Sequence, residues 1–194
     1  MSYLISNIPQ FKCWVRKEFT ANEVELRVDA NGAFSTKDAL EKLKILSELE
    51  LHSIEQPIKQ GQIEEMARLC ELTPLAIALD EELIGVHSVT KKQELLQTIQ
   101  PQYIILKPTL VGGFKGSMEW INKANANNNG WWITSALESN IGLNAIAQWT
   151  FTLNNPMPQG LGTGSLFTNN FSSPLTVKNG TLRYDLKQQW KFNL

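Results

Sequence analysis

Three carboxylates stand at or near the ends of three successive apolar runs: Asp29 in VELRVD, Glu55 in HSIEQP and Asp80 in LAIALD. A fourth run, YIILKP, reaches Lys107, and a fifth, WWITS, closes in Ser135. A single acid at a strand end is commonly a helix cap or half of a salt bridge. Three on successive strands, each about 4.8 Å from the next, can converge on one small volume. Unpaired, they would repel one another strongly in a partly dry mouth. A divalent cation resolves that conflict. An oxygen-only donor set, with no His or Cys at matching positions, selects a hard ion: Mg²⁺, with Mn²⁺ as the alternative. A lysine facing such a site donates charge or moves a proton. The chemistry predicted is enolisation. A metal grips a substrate carboxylate as Lewis acid, and the enediolate left by loss of the α-proton is stabilised electrostatically.

These residues need a scaffold that repeats. Strand-like runs fall at 24–29, 52–57, 75–80, 103–108, 131–135 and 159–163, a spacing of roughly 25–28 residues that points to repeated units. Helical patterns lie between them. Residues 35–49 place Ala39, Leu40, Leu43, Leu46 and Leu49 at helical spacing behind a capping-box-like Ser35-Thr36-Lys37-Asp38. Further helices are predicted over 62–71, 88–99, 116–127 and 140–153, the third helix of the series stopping at Gln100-Pro101.

Regular alternation of strand and helix predicts parallel β/α units. A doubly wound sheet gathers its ligands at one switch point, whereas a barrel turns every C-terminal strand end to a common mouth. Polar residues at the end of unit after unit favour the barrel. The predicted fold class is α/β, a (β/α)8 TIM-type barrel that is incomplete, with about six units legible where eight close the ring. The chain is expected to be one partial barrel domain over 1–194, with residues 1–10 an atypical leader. Phe11 to Phe19 reads as the back half of a helix preceding the first strand, and a C-terminal hairpin over 175–185 turns at Asn179-Gly180.

Bulk properties narrow the function classes. The formal net charge is −1 and no basic block stands out, which argues against nucleic acid and polybasic membrane contacts. The longest apolar runs are strand-sized, and the N-terminus has no cationic lead or long apolar core. Cys13 and Cys70 form neither a CxxC nor a dense framework, so both read as reduced thiols in a cytoplasmic protein. A Gly160-x-Gly-x-Gly motif hints at a nucleotide, but FTNNFSSP and a hairpin follow it rather than a helix.

ELRVDANGAF, HSIEQPI, IALDEEL, YIILKPTLVGGF and WWITSALESNIGLNAIAQW together resemble the barrel domain of the enolase superfamily, from about Phe11 to the C-terminus. Within it they most resemble the o-succinylbenzoate synthase family of menaquinone biosynthesis. The resemblance implies a Mg²⁺-dependent lyase that dehydrates a cyclohexadiene carboxylate (SHCHC) to o-succinylbenzoate. Carried over, it makes Asp29, Glu55 and Asp80 the metal ligands and Lys107 the lysine that stabilises the enediolate. Asn31 and Glu81 are expected behind the ligands. Arg27 either shares the side of Asp29 or forms a plain salt bridge. Ser135 and the Gly112-Gly113 loop are expected to hold substrate carboxylates. N-acylamino acid racemases and muconate-lactonising enzymes share the machinery and remain alternatives, as does a non-catalytic metal-binding pseudoenzyme. The Asp-x-Asp that dipeptide epimerases of this kind usually carry is replaced by Gly160-Leu161-Gly162-Thr163-Gly164. No Lys-x-Lys precedes residue 29, where the family keeps its base, so an inactive fragment is one expected outcome. Exposed barrel edges predict self-association.

Overall fold

The computed structural model describes residues 15–162 and 167–192. The expected leader at 1–10, Lys12, Cys13, Thr163 and Gly164 lie outside the described residues. In chain order the elements are β1 (Arg27–Asp29), α1 (Thr36–Ser47), β2 (Ser53–Glu55), α2 (Ile63–Leu72), β3 (Ile77–Leu79), a 3₁₀ turn (Glu81–Leu83), α3 (Val89–Ile99), β4 (Tyr103–Leu106), α4 (Gly113–Ala126), β5 (Gly130–Ile133), α5 (Asn140–Thr152), β6 (Leu175–Lys178) and β7 (Thr181–Tyr184). The five β/α strands run in sequential order, β1-β2-β3-β4-β5. Among the described residues that order does not reverse and shows no switch point, which is the winding of a barrel rather than a doubly wound sheet.

The chain divides into two compact units. The first holds the described residues up to Ile104 together with Asn122–Gly130. Here β1 pairs parallel with β2 (Arg27 with Ser53, Val28 with Ile54, Asp29 with Glu55), β2 with β3 (Ile54 with Ile77, Glu55 with Ala78), and β3 with the start of β4 (Ala78 with Tyr103). Ile77, Ala78 and Leu79 are all fully buried, as a strand covered on both faces must be. α1 begins at Ser35, whose hydroxyl accepts the Asp38 N–H at 3.2 Å, and buries Ala39, Leu43 and Leu46. α2 buries Met66, Leu69 and Cys70. β1 is shorter than its hydrophobic pattern because the Val24 carbonyl accepts from the Arg16 guanidinium at 2.9 Å rather than from a neighbouring strand.

The second unit holds Ile105–Ile121 and the described residues from Trp131 onward. The expected strand at 159–163 is reduced, among the described residues, to one parallel bridge between Thr134 and Gly160. The Gln159 side chain, not a backbone carbonyl, accepts the Ile133 N–H at 2.7 Å, which interrupts the ladder. Gly160 is required where it stands: a Cβ there would lie 2.6 Å from the Thr134 hydroxyl. α4 starts three residues before the predicted Gly116, at Gly113, whose N–H donates back to Pro108 O at 2.7 Å. The hairpin β6–β7 turns at Asn179 (φ 51°) and Gly180 (φ 68°), the paired left-handed conformation its sequence demanded. No helix among the described residues is long and apolar enough to cross a membrane.

Burial pushes the Cys70 thiol up from 9.0 to about 12. A group whose folded pKa is raised contributes stability below its unfolded pKa, and that contribution is lost as pH rises through the folded value. Stability by urea midpoint is therefore expected to fall between about pH 9 and pH 12 more steeply in the wild type than in Cys70→Ala. In a Cys13→Ser background, Cys70 is expected to resist a thiol reagent at pH 8 until the chain is unfolded. Equal pH slopes and rapid labelling of the folded chain would show the thiol to be accessible.

Candidate functional site

The parallel register decides what the strand ends can present. Asp29 and Glu55 are direct register partners on neighbouring strands. Ala78 is the partner of Glu55, and Asp80 lies two residues further along the same line. A two-residue step returns to the same face of a strand, so the three acids share one face of the first unit. Beyond the strands the backbone ladder continues: Ala30 N–H donates to Glu55 O at 3.0 Å, Gly32 N–H to Gln56 O at 2.7 Å and Phe34 N–H to Pro57 O at 3.0 Å. The loops after β1 and β2 are thus laced together rather than free.

The acids differ in environment. Asp29 is exposed and its carboxylate accepts from Asn31, from the backbone N–H at 2.7 Å and from the side-chain amide. Asn31 sits at φ 46°, a left-handed conformation that asparagine tolerates and that lets it fold back on Asp29. Glu55 is half-buried, and Asp80 is 2% exposed. Glu81 is half-buried beside it. Among the described residues, no three Asp, Glu, His or Cys side chains stand close enough together to hold a metal ion. What fits a divalent cation is the all-oxygen donor set and the backbone placement of its three members on one face.

Arg27, two residues before Asp29 and so on the same face of β1, pairs through its Nε with Glu25 at 2.7 Å. In the second unit, Lys107 follows β4 directly and is half-buried. Its carbonyl accepts from Leu110 N–H at 2.8 Å and Val111 N–H at 3.2 Å, which folds residues 107–111 into a tight turn. Gly113 N–H already donates to Pro108 O at 2.7 Å, so that amide has an internal acceptor. Ser135 is 5% exposed at the end of β5, and its N–H donates to Gly160 O at 3.0 Å.

Two polar residues emerge here that the sequence did not single out. Gln56, next to Glu55, is fully buried, and Glu82, two residues beyond Asp80, is 6% exposed. The Glu82 carboxylate accepts from Gly61 N–H at 2.8 Å and from Gln56 Nε2 at 3.1 Å. The signal available was a polar residue one or two places beyond a strand-end acid, and nothing in its type distinguished Glu82 from its half-buried neighbour Glu81.

A family model described as "Enolase C-terminal domain-like" matches residues 13–187. The chain belongs to that family. The enolase-type chain is 57% identical over 168 residues to the o-succinylbenzoate synthase of Desulfotalea psychrophila, covering 87% of this chain and 45% of the relative. The crystal structure of MenC from the same organism superposes with a TM-score of 0.85 at 56% identity, covering 88% of this chain and 48% of that one. The N-succinylamino acid racemase of Thermus thermophilus is 33% identical over 128 residues, 66% of this chain and 33% of the racemase. The chain therefore spans about half the length of the first two of these relatives.

Gly32 anchors the loop that carries Asp29 and Asn31. It has φ +67°, and a Cβ there would lie 2.9 Å from the Lys59 Cα. Gly32→Ala is expected to lower stability by about 1–3 kcal/mol, from backbone strain and the close approach, read from urea midpoints. An unchanged midpoint would mean the two loops are not held in this contact.

Proposed function

We propose that this chain carries the acid and lysine machinery of a Mg²⁺-dependent o-succinylbenzoate synthase, which dehydrates SHCHC to o-succinylbenzoate in menaquinone biosynthesis. The observation that supports this most is the 57% identity over 168 residues, joined to a register that sets Asp29, Glu55 and Asp80 on one face. In this reading those three acids hold the cation. When bound, the ion (Mg²⁺, or Mn²⁺ in its place) supplies Lewis-acid polarisation of the substrate carboxylate and offsets charge developing on it. Lys107 stabilises the developing negative charge or carries a proton to and from the α-carbon. Asn31 fixes Asp29 by its two donated hydrogen bonds, and Glu81 stands behind Asp80. Ser135 and the Gly112-Gly113 turn are the groups assigned to the substrate's carboxylates, with the Gly113 N–H excluded because it is used internally.

The reading also carries a cytoplasmic location, a small carboxylate substrate rather than nucleic acid or membrane, and self-association through barrel edges. N-acylamino acid racemisation is the second reading, favoured by the 33% identity to the Thermus enzyme, since one set of carboxylates and lysine serves both reactions.

Two measurements test it. Turnover of SHCHC is expected to require Mg²⁺, to stop with EDTA, and to fall by at least about 10²-fold in Lys107→Ala. Turnover indifferent to EDTA or to that substitution would overturn the assignment. Mn²⁺ titration without turnover would leave the binding-only descendant. Glu55→Ala is expected to weaken Mn²⁺ binding by at least about 10-fold, and an unchanged affinity would remove Glu55 from the donor set.

A further inference from the structure

We infer that Gln56 is the positioning residue of this site: it ties together the three strand-end loops that carry Asp29, Glu55 and Asp80. The role presupposes that these carboxylates hold a cation, as proposed above. Gln56 directly follows Glu55 and is fully buried. Its backbone N–H donates to Ala78 O at 3.0 Å, and its carbonyl accepts from Gly32 N–H at 2.7 Å. The first bond reaches the strand that leads to Asp80, the second the loop that follows Asp29. Its side-chain oxygen accepts from Asp80 N–H at 3.2 Å and from Glu82 N–H at 3.3 Å. Its side-chain nitrogen donates to Ile58 O and to the Glu82 carboxylate, each at 3.1 Å. Glu82 in turn accepts from Gly61 N–H at 2.8 Å, which fastens the loop after β2 from its far side.

Every hydrogen-bonding group of this amide is therefore engaged within the first unit, where burial makes an unmet group costly. The amide is the only side-chain type of this size that fits: it must accept two N–H groups on one side and donate to a carbonyl and a carboxylate on the other. Glutamate would set a second carboxylate against Glu82, and leucine would remove both the acceptor for two backbone N–H groups and the donor to Glu82. Groups that orient metal ligands from behind commonly change affinity by about 10–100-fold when removed. Gln56 orients not one ligand but the backbone under all three.

The test is a Mn²⁺ titration of the full chain by electron paramagnetic resonance, alongside circular dichroism and thermal unfolding. Wild-type binding is read first, and its absence would overturn the metal reading and this inference with it. Given wild-type binding, Gln56→Leu is expected to weaken Mn²⁺ by about 10-fold or more while the chain remains folded. Gln56→Glu is expected to do the same with almost no change of shape, and it decides the matter if the leucine variant does not fold. Adding Glu82→Gln to Gln56→Glu restores the donor–acceptor pair between these two side chains, though not the donor to Ile58 O, and is expected to recover part of the affinity. Affinities within about twofold of wild type in Gln56→Glu, or a double variant no better than the single, would overturn the inference while leaving the metal site standing. A merely structural role would lower the melting temperature and leave Mn²⁺ affinity and the rescue untouched.

Discussion

In a parallel sheet every strand runs the same way, so every strand ends at the same edge. That constraint fixes where the chemistry of this chain can stand. Once Val28 pairs with Ile54 and Ile54 with Ile77, the acids that follow have no freedom to scatter along the sheet. A slip of one residue between β1 and β2 would carry Asp29 to the opposite face. The apolar residues forbid that slip: Ile54 at 1% exposure and Ile77, Ala78 and Leu79 at zero leave no register in which fewer of them meet water. The core therefore sets the site, through register, before any polar group interacts with another.

Polar burial then takes over where the strands stop. Asp80, Gln56 and Glu82 are all withdrawn from water, and isolated groups of this kind would be destabilising by several kcal/mol each. Where the chain leaves the sheet, the backbone N–H groups of Asp80 and Glu82 donate to the Gln56 amide oxygen. The loops are consequently continuations of the sheet by other means, with side-chain amide in place of backbone carbonyl.

Much of this was legible in the sequence because it rested on period and parity. The repeat of strand and helix located every β/α element within a few residues, and the acid at or near the end of each of three runs announced one face. The hairpin at Asn179-Gly180 was legible for a different reason, since few residues accept two successive positive φ values. What periodicity could not carry was partner choice. Val24 looks like strand but gives its carbonyl to Arg16. The 159–163 run looks like strand but its neighbour's N–H goes to the Gln159 side chain. Between Glu81 and Glu82 the choice of buried residue depends on where Gly61 and Gln56 fall, 21 and 26 residues away along the chain from Glu82 and beyond any local pattern.

Backbone strain gives the last link. Asn31 and Gln56 both take positive φ, at 46° and 37°, and each lies one or two residues beyond a strand-end acid. For asparagine the cost is small. For glutamine it is larger, and Pro57 adds to it, because a residue before proline is pushed towards extended conformations. Such a conformation persists only where surrounding bonds over-determine it. Gln56 has those bonds on its N–H, its carbonyl and both ends of its amide. A glycine would remove the strain but also the amide that joins the loops. An unstrained glutamine would keep the amide but aim it elsewhere. The strain is thus the consequence of asking one residue to continue the ladder with its backbone and to anchor the next strand's turn with its side chain.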